Sequence, residues 1–312
     1  MKKILLFGLL LALLAQVAWG QGFRFEQLDY GRKTQSLRLN DSVQIAYQEA
    51  GKGRQTLLLI HGLGSYLPAW QENLEVLSKK YHCIALDLPG YGKSSKHRFV
   101  SLDFYADMLK AFIEKKGLRR VVLVGHSMGG QIALTFALKH PALAEKLVLV
   151  APAGIETFSE QEAQMLKQFT TAAAIAATPD ALIEQNLKKN FVNFPQKAAF
   201  MATDRIKMKE APDFGLYCAA VSASVKAMLQ EPVAQHLEKI QMPVLIIFGE
   251  EDGLIPNKIL HPQLSTAQIA EEAQKKMAGS QVVLIPSAGH FVQFEQAEKV
   301  NQAILQWLGA GK

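Results

Sequence analysis

Six short, nearly uninterrupted apolar runs recur along this chain: Thr56 to Ile60, His82 to Leu86, Val121 to Val124, Leu147 to Val150, Val244 to Phe248 and Val282 to Ile285. Each is too short for a buried helix and shows no polar alternation. That is the pattern of a strand covered on both faces, which is how strands of a parallel sheet are placed. Parallel neighbours need crossovers, and helical periodicity fills the intervals, as in Leu102 to Lys116 and Gln131 to Lys139. The expected class is therefore α/β, a mostly parallel doubly wound sheet with helices on both faces. Ahead of the runs, Gln35 to Leu39 and Ser42 to Tyr47 alternate around Asn40-Asp41, which predicts a hairpin adding an antiparallel edge. An amphipathic helix over Ala297 to Leu308 closes the chain.

The rhythm breaks once. Residues 155–238 contain no buried-strand run, are helical in composition, and are punctuated by Pro179, Pro195, Pro212 and Pro232. The segment starts just after one core strand and stops just before the next, so it reads as a helical cap inserted into a core of residues 21–154 and 239–312. Residues 1–20 stand apart. Lys2-Lys3 precede an apolar stretch from Ile4 to Ala15, and Ala18-Trp19-Gly20 supplies small residues where a signal peptidase cuts. A secretory leader and an exported, periplasmic or secreted protein are expected. The alternative is an uncleaved leader acting as a membrane anchor, although the run is short against the roughly 20 residues of a membrane span.

Charge narrows the partners. The net charge is +6, and loss of Lys2 and Lys3 with the leader lowers it to +4. The basic pairs Arg32-Lys33, Lys79-Lys80, Arg119-Arg120 and Lys188-Lys189 are scattered, which reads as solvated faces and not as a nucleic-acid surface. Cys83 lies inside a core strand, so it and Cys218 read as unpaired thiols, and no histidine clusters with them to make a zinc site.

The run Val121 to Val124 enters Gly125-His126-Ser127-Met128-Gly129-Gly130, with a helix opening at Gln131-Ile132-Ala133-Leu134. A serine in a G-x-S-x-G turn between strand and helix is lifted above the sheet edge on a strained backbone. Its hydroxyl needs a base. Of the eight histidines, His290 follows a core strand across the short loop Pro286-Ser287-Ala288-Gly289, which puts it at the same sheet edge as Ser127. His126 and His61 read as structural. The base needs an orienting acid, and the strand ending at Phe248 runs into Gly249-Glu250-Glu251-Asp252-Gly253. Asp252 leads, with Glu251 as the alternative and Glu250 solvated. For the oxyanion, Met128 offers an N–H at a helix start, and Leu63 in His61-Gly62-Leu63-Gly64 offers a second.

The order Ser127, Asp252, His290, the early His61-Gly62-Leu63-Gly64 and the stretch Asp87-Leu88-Pro89-Gly90-Tyr91-Gly92-Lys93-Ser94 together resemble the α/β-hydrolase superfamily. The resemblance spans nearly all the chain after the leader except the cap and the first fifteen residues. It departs at one place: Asp252 and His290 are 38 residues apart, with an extra polar segment from Ile259 to Ala267. It implies acyl transfer with Ser127 as nucleophile, His290 as base, Asp252 as orienting acid and the amides of Leu63 and Met128 as oxyanion donors. No metal or organic cofactor is called for. A serine at the elbow sets the chain apart from relatives that attack epoxides or haloalkanes with an aspartate. Carbon–carbon bond hydrolases also use serine and stand as the alternative, followed by aminopeptidases, acyltransferases and a non-catalytic binding member. The cap carries Phe158, Phe169, Phe191, Phe194, Phe200 and Phe214, with Met165, Met201, Met208 and Met228. These either line an apolar acyl pocket or fasten the cap helices. The expected substrate is a small to medium apolar ester.

Overall fold

The computed structural model describes residues 22–310. The leader expected over residues 1–20 lies outside them. The apolar runs form one eight-stranded sheet: β1 (Gln35–Arg38), β2 (Gln44–Ala50), β3 (Thr56–Ile60), β4 (His82–Leu86), β5 (Val121–His126), β6 (Ala144–Val150), β7 (Val244–Gly249) and β8 (Gln281–Ile285). Their spatial order is β1-β2-β4-β3-β5-β6-β7-β8. Strand β2 runs antiparallel to β1 and β4, and every other pairing is parallel. The strands that read as continuous apolar runs are the ones covered on both faces: β3, β5 and β7 are buried from end to end. Edge strand β8 is only half-buried over Val282 to Leu284.

Two strands, β5 and β6, run more than one residue beyond their apolar runs. Strand β6 starts at Ala144 because Ala144 and Lys146 still pair with Val121 and Val122 at the sheet margin, around a bulge at Glu145 that Arg120 grips. Strand β5 continues through Gly125 and His126, which pair with Leu149 and Val150. That extension delivers the following serine beyond the sheet edge.

Helices α1 (Gln71–Leu77), α2 (Leu102–Lys116) and α3 (Met128–Lys139) follow strands of the core. The apolar side chains Leu109 and Phe112 of α2 are buried, as are Ile132 and Phe136 of α3, and the two helices pack together. Each such side chain removed from water contributes about 1.5–3 kcal/mol. Between β6 and β7 come α4 (Glu160–Phe169), α5 (Ala172–Ala176), α6 (Asp180–Lys188), α7 (Ala199–Met208) and α8 (Phe214–Gln230), with no strand among them. Helix α8 is the spine of this insertion: α4 and α5 pack on it, and it rests on α2. After β7, α9 (Thr266–Lys276) precedes β8, and α10 (Val292–Glu295) and α11 (Ala297–Gly309) end the described chain. The polar segment Ile259 to Ala267 is a turn followed by the start of α9, whose first residues Thr266 and Ala267 already lie in the helix. Cys83 and Cys218 are buried free thiols, and burial pushes Cys83 up to about 12.

Candidate active site

Ser127 joins β5 to α3 with φ 53° and ψ −118°, a conformation a non-glycine residue adopts only under strain. Backbone bonds hold it there, among them one from Gln131 N to its carbonyl at 3.2 Å. Its N–H donates to Val150 O at 3.0 Å, and its carbonyl accepts from Gly130 at 2.9 Å and Ala153 at 3.1 Å. The flanking glycines are there for close approach. A Cβ on Gly125 would enter the backbone of Gly129, and one on Gly129 would enter the carbonyl oxygen of Ile60. The turn closes because neither has a side chain.

The loops after β7 and β8 are stitched together at the same edge, with Glu250 N donating to Ile285 O at 3.0 Å and Glu251 N to Ala288 O at 3.1 Å. This brings Asp252 to His290. Asp252 Oδ2 accepts from His290 Nδ1 at 2.9 Å, while Oδ1 accepts from the N–H groups of Leu254 at 2.8 Å and Ile255 at 3.0 Å. A carboxylate so engaged can only receive, so Nδ1 carries the proton and Nε2 is left free to accept one. Glu250 and Glu251 are exposed, whereas Asp252 is 1% and His290 4% exposed. Of the two carboxylates, Asp252 is the one that the structure places against His290.

Ser127, His290, Leu63 and Gly62 line one cavity of about 620 Å³. In this geometry Ser127 Oγ makes no hydrogen bond to the His290 ring among the described contacts. Such bonds often tighten only when substrate is bound. Among the described residues the N–H groups of Leu63 and Met128 have no internal acceptor, as an oxyanion donor requires.

Two further histidines support this edge. His126 is buried, and burial with the neighbouring His290 holds its pKa well below the usual imidazole range. Its neutral ring uses Nε2–H to donate to the carbonyl oxygen of His290 at 2.9 Å. The residue that reads as structural in the sequence therefore braces the backbone of His290 itself. His61 spans two loops: Nδ1–H donates to Gly62 O at 2.8 Å, and Nε2 accepts from Leu88 N at 3.0 Å. Burial lowers its pKa to about 4. Asp87 lies beneath, accepting from the N–H groups of Leu67 and Lys93 and from Tyr30 Oη. The Asp87 to Ser94 stretch thus shapes a turn beside the site.

The insertion and the core share the cavity wall. Val225, Met228 and Leu229 come from α8, Leu166 from α4, and Phe158 from the segment before it. Of the phenylalanines and methionines singled out in the sequence, Phe158 and Met228 reach the cavity. Phe191 and Met201 instead pack with Ala69, Phe291 and Phe294 in a second cluster, with Phe194 and Phe200 against it. Phe214 and Met208 join the main core. Met165 and Phe169 face solvent, at 38% and 75% exposure. Helical periodicity identifies an apolar side but not the surface it meets, so the sequence leaves the two roles unseparated.

Glu156 lines the cavity too, yet its charge is spoken for. It accepts from Asn257 N at 2.9 and 3.1 Å and meets His261 Nδ1 at 2.5 Å. His261 Nε2 lies 3.3 Å from Glu162 of α4, and Phe158 stacks on the ring. The hydrogen bond to Glu156 raises the His261 pKa. The cluster fastens the start of the insertion to the loop after Asp252. Nothing in the sequence spacing announces it, because His261 lies 105 residues from Glu156.

The comparisons agree with this architecture. Residues 55–297 match the family model described as alpha/beta hydrolase fold. Over 269 residues the chain is 30% identical to the dihydrolipoyllysine-residue acetyltransferase component of the acetoin cleaving system of Pseudomonas putida, covering 84% of this chain and 65% of that protein. The chain thus spans just under two thirds of that relative's length. It is 26% identical over 300 residues to monoacylglycerol lipase ABHD6 of Homo sapiens, covering 90% of this chain and 85% of the relative. It is 29% identical over 280 residues to the 2-hydroxy-6-oxononadienedioate/2-hydroxy-6-oxononatrienedioate hydrolase of Paraburkholderia phymatum, covering 86% and 91%. With the family model matched across most of its length and the sheet in the order described, this chain belongs to the α/β-hydrolase superfamily.

Proposed function

We propose that this α/β hydrolase cleaves carboxylic esters of small to medium apolar substrates through an acyl-enzyme on Ser127. The observation that carries the reading is the shared apolar cavity, whose wall holds Ser127 beside an imidazole oriented by a buried carboxylate. His290 Nε2 takes the Ser127 proton as Oγ attacks the carbonyl carbon. Asp252 holds the tautomer and stabilises the imidazolium. The N–H groups of Leu63 and Met128 receive the oxyanion, a donor being worth about 2.7–4 kcal/mol of barrier. His290 then protonates the leaving alcohol and activates water to release the acid.

The second reading is carbon–carbon bond hydrolysis, supported by the dienedioate hydrolase among the relatives. The cavity favours the ester. No lysine or arginine is among the described residues that line it, and Glu156 is already paired, so a dianionic substrate would find no cation to meet it. The leader-like sequence of residues 1–20 supports an exported enzyme, which cell fractionation of the full chain tests. Among the described residues, no helix is long and apolar enough to cross a membrane.

The deciding assay sets a panel of p-nitrophenyl esters against a coloured ring-fission dienoate. The proposal expects strong turnover of the esters, abolished by Ser127→Ala. Clear preference for the dienoate would reverse the order of the two readings.

A further inference from the structure

The carboxylate of Glu295, at the end of α10, is held by backbone N–H groups from two segments, the loop just before α10 and a distant part of the insertion. Oε2 accepts from Gly289 at 2.8 Å and from Val192 at 3.3 Å, and Oε1 accepts from Asn193 at 2.6 Å. Gly289 is the residue immediately before His290. Val192 and Asn193 belong to the insertion, in the stretch after α6. One side chain thus ties the loop of the histidine to the helical insertion.

Other contacts follow the same line. Phe291 N donates to Asn190 O at 3.1 Å, and the Phe191 and Phe291 rings stack at 5.4 Å and 19°. A Cβ on Gly289 would stand 2.6 Å from Asn190 O, so only glycine lets the two segments approach this closely. The residues on either side of His290 are therefore both fastened to residues 190–193. Beyond them, Asp252 holds the ring and His126 holds the carbonyl. The Glu295 contact is the one that an ionised side chain makes to the preceding peptide, and hydrogen bonds to charged acceptors are about twice as strong as neutral ones.

We propose that Glu295 is a positioning residue for His290, fixing the peptide that carries the base and coupling its placement to the seating of the insertion. This rests on the serine-hydrolase reading of Ser127 and His290. Glu295 itself touches no reacting atom. Its effect is on how well Nε2 is aimed at Ser127 Oγ, and a misplacement near 1 Å can cost about 100-fold in rate.

The test uses the full chain as wild type, Glu295→Gln, Glu295→Asp and Ser127→Ala. Three quantities are read: the rate of fluorophosphonate labelling, kcat and KM on p-nitrophenyl butyrate, and Tm. Glutamine keeps the shape but replaces one acceptor oxygen with a donor that faces an N–H. Glu295→Gln is expected to label and turn over about 10- to 100-fold more slowly, with KM within about threefold of wild type. Glu295→Asp keeps the charge but is too short to span Gly289 and Asn193, and is expected to show the same loss of kcat. A purely structural role would lower Tm while leaving labelling of the folded fraction at the wild-type rate, and that result overturns the proposal. If Glu295→Gln does not fold, Glu295→Asp decides alone, and a wild-type kcat in it overturns the proposal. Wild-type protein that labels no better than Ser127→Ala would overturn the serine reading and this inference together. Wild-type labelling with an unchanged Glu295→Gln rate would overturn only the inference about Glu295.

Discussion

Acidification should loosen this fold in part through the ring of His61. His61 sits at the end of β3, fully buried, with Nδ1–H donating to Gly62 O and Nε2 accepting from Leu88 N. The second bond requires a neutral ring, and a proton on Nε2 would face an N–H. Burial holds the folded pKa at about 4, against about 6.5 for a free imidazole. The folded value is the lower one, so the unfolded chain takes up the proton first. The stabilisation is therefore complete above about pH 6.5 and is lost as pH falls from 6.5 towards 4. The full difference is about 3 kcal/mol, and about 2 kcal/mol of it is gone by pH 5. Glutamine in place of His61 can donate and accept but cannot titrate. Urea unfolding of wild type and His61→Gln at pH 8 and pH 5 measures the difference, with other groups such as His126 common to both. Wild type should lose about 2 kcal/mol more than the variant over this interval. Equal losses would mean that the ring is not held neutral by this site, and the reasoning would fail.

Three substitutions probe the remaining parts of the edge. Asp252→Asn keeps an oxygen for Leu254 and Ile255 but turns the other atom into a donor facing Nδ1–H, so ester turnover should fall by about 10⁴ with little change in Tm. A loss under tenfold in steady-state assays would show that Asp252 does not set the tautomer. Gly129→Ala drives a Cβ into the Ile60 carbonyl and should destabilise by more than about 4 kcal/mol or prevent folding, as read by thermal melting. A normal melt would mean that the elbow is not closed on β3 as described. His126→Ala leaves the His290 carbonyl buried without its donor, costing about 1–3 kcal/mol in urea unfolding and lowering kcat more than it raises KM. Unchanged stability and kcat would remove His126 from its bracing role.

Much of this architecture can be read from the chain because a parallel sheet imposes a strong signature. A strand covered on both faces must be apolar at nearly every position, and β3, β5 and β7, buried from end to end, carry only Thr56 and His126 as polar side chains. The elbow is legible for a similar reason: Gly125 and Gly129 are demanded by backbone contact, so the motif records a geometric necessity. Asp252 and His290 follow from being on loops after core strands, whose ends must share an edge in a parallel sheet. The insertion is less legible. Phe158 and Phe169 are equally apolar, yet one lines the cavity and the other is exposed, because helix packing inside an insertion is not set by sheet order. Glu295 and the Glu156–His261–Glu162 cluster left no trace, since their partners are backbone groups or residues far away in the chain. Polar residues that serve distant peptides look like surface residues until the fold brings their partners to them.

The most direct measurement is to trap the intermediate. Wild type and His290→Ala would be mixed with a slowly hydrolysed ester, quenched in acid within the first turnover, digested and mass-analysed. Wild type should carry one acyl group on the peptide containing Ser127, formed in step with release of the alcohol, and His290→Ala should form it orders of magnitude more slowly. Turnover without an adduct on Ser127, or an acyl group on a different residue, would contradict the assignment at its centre.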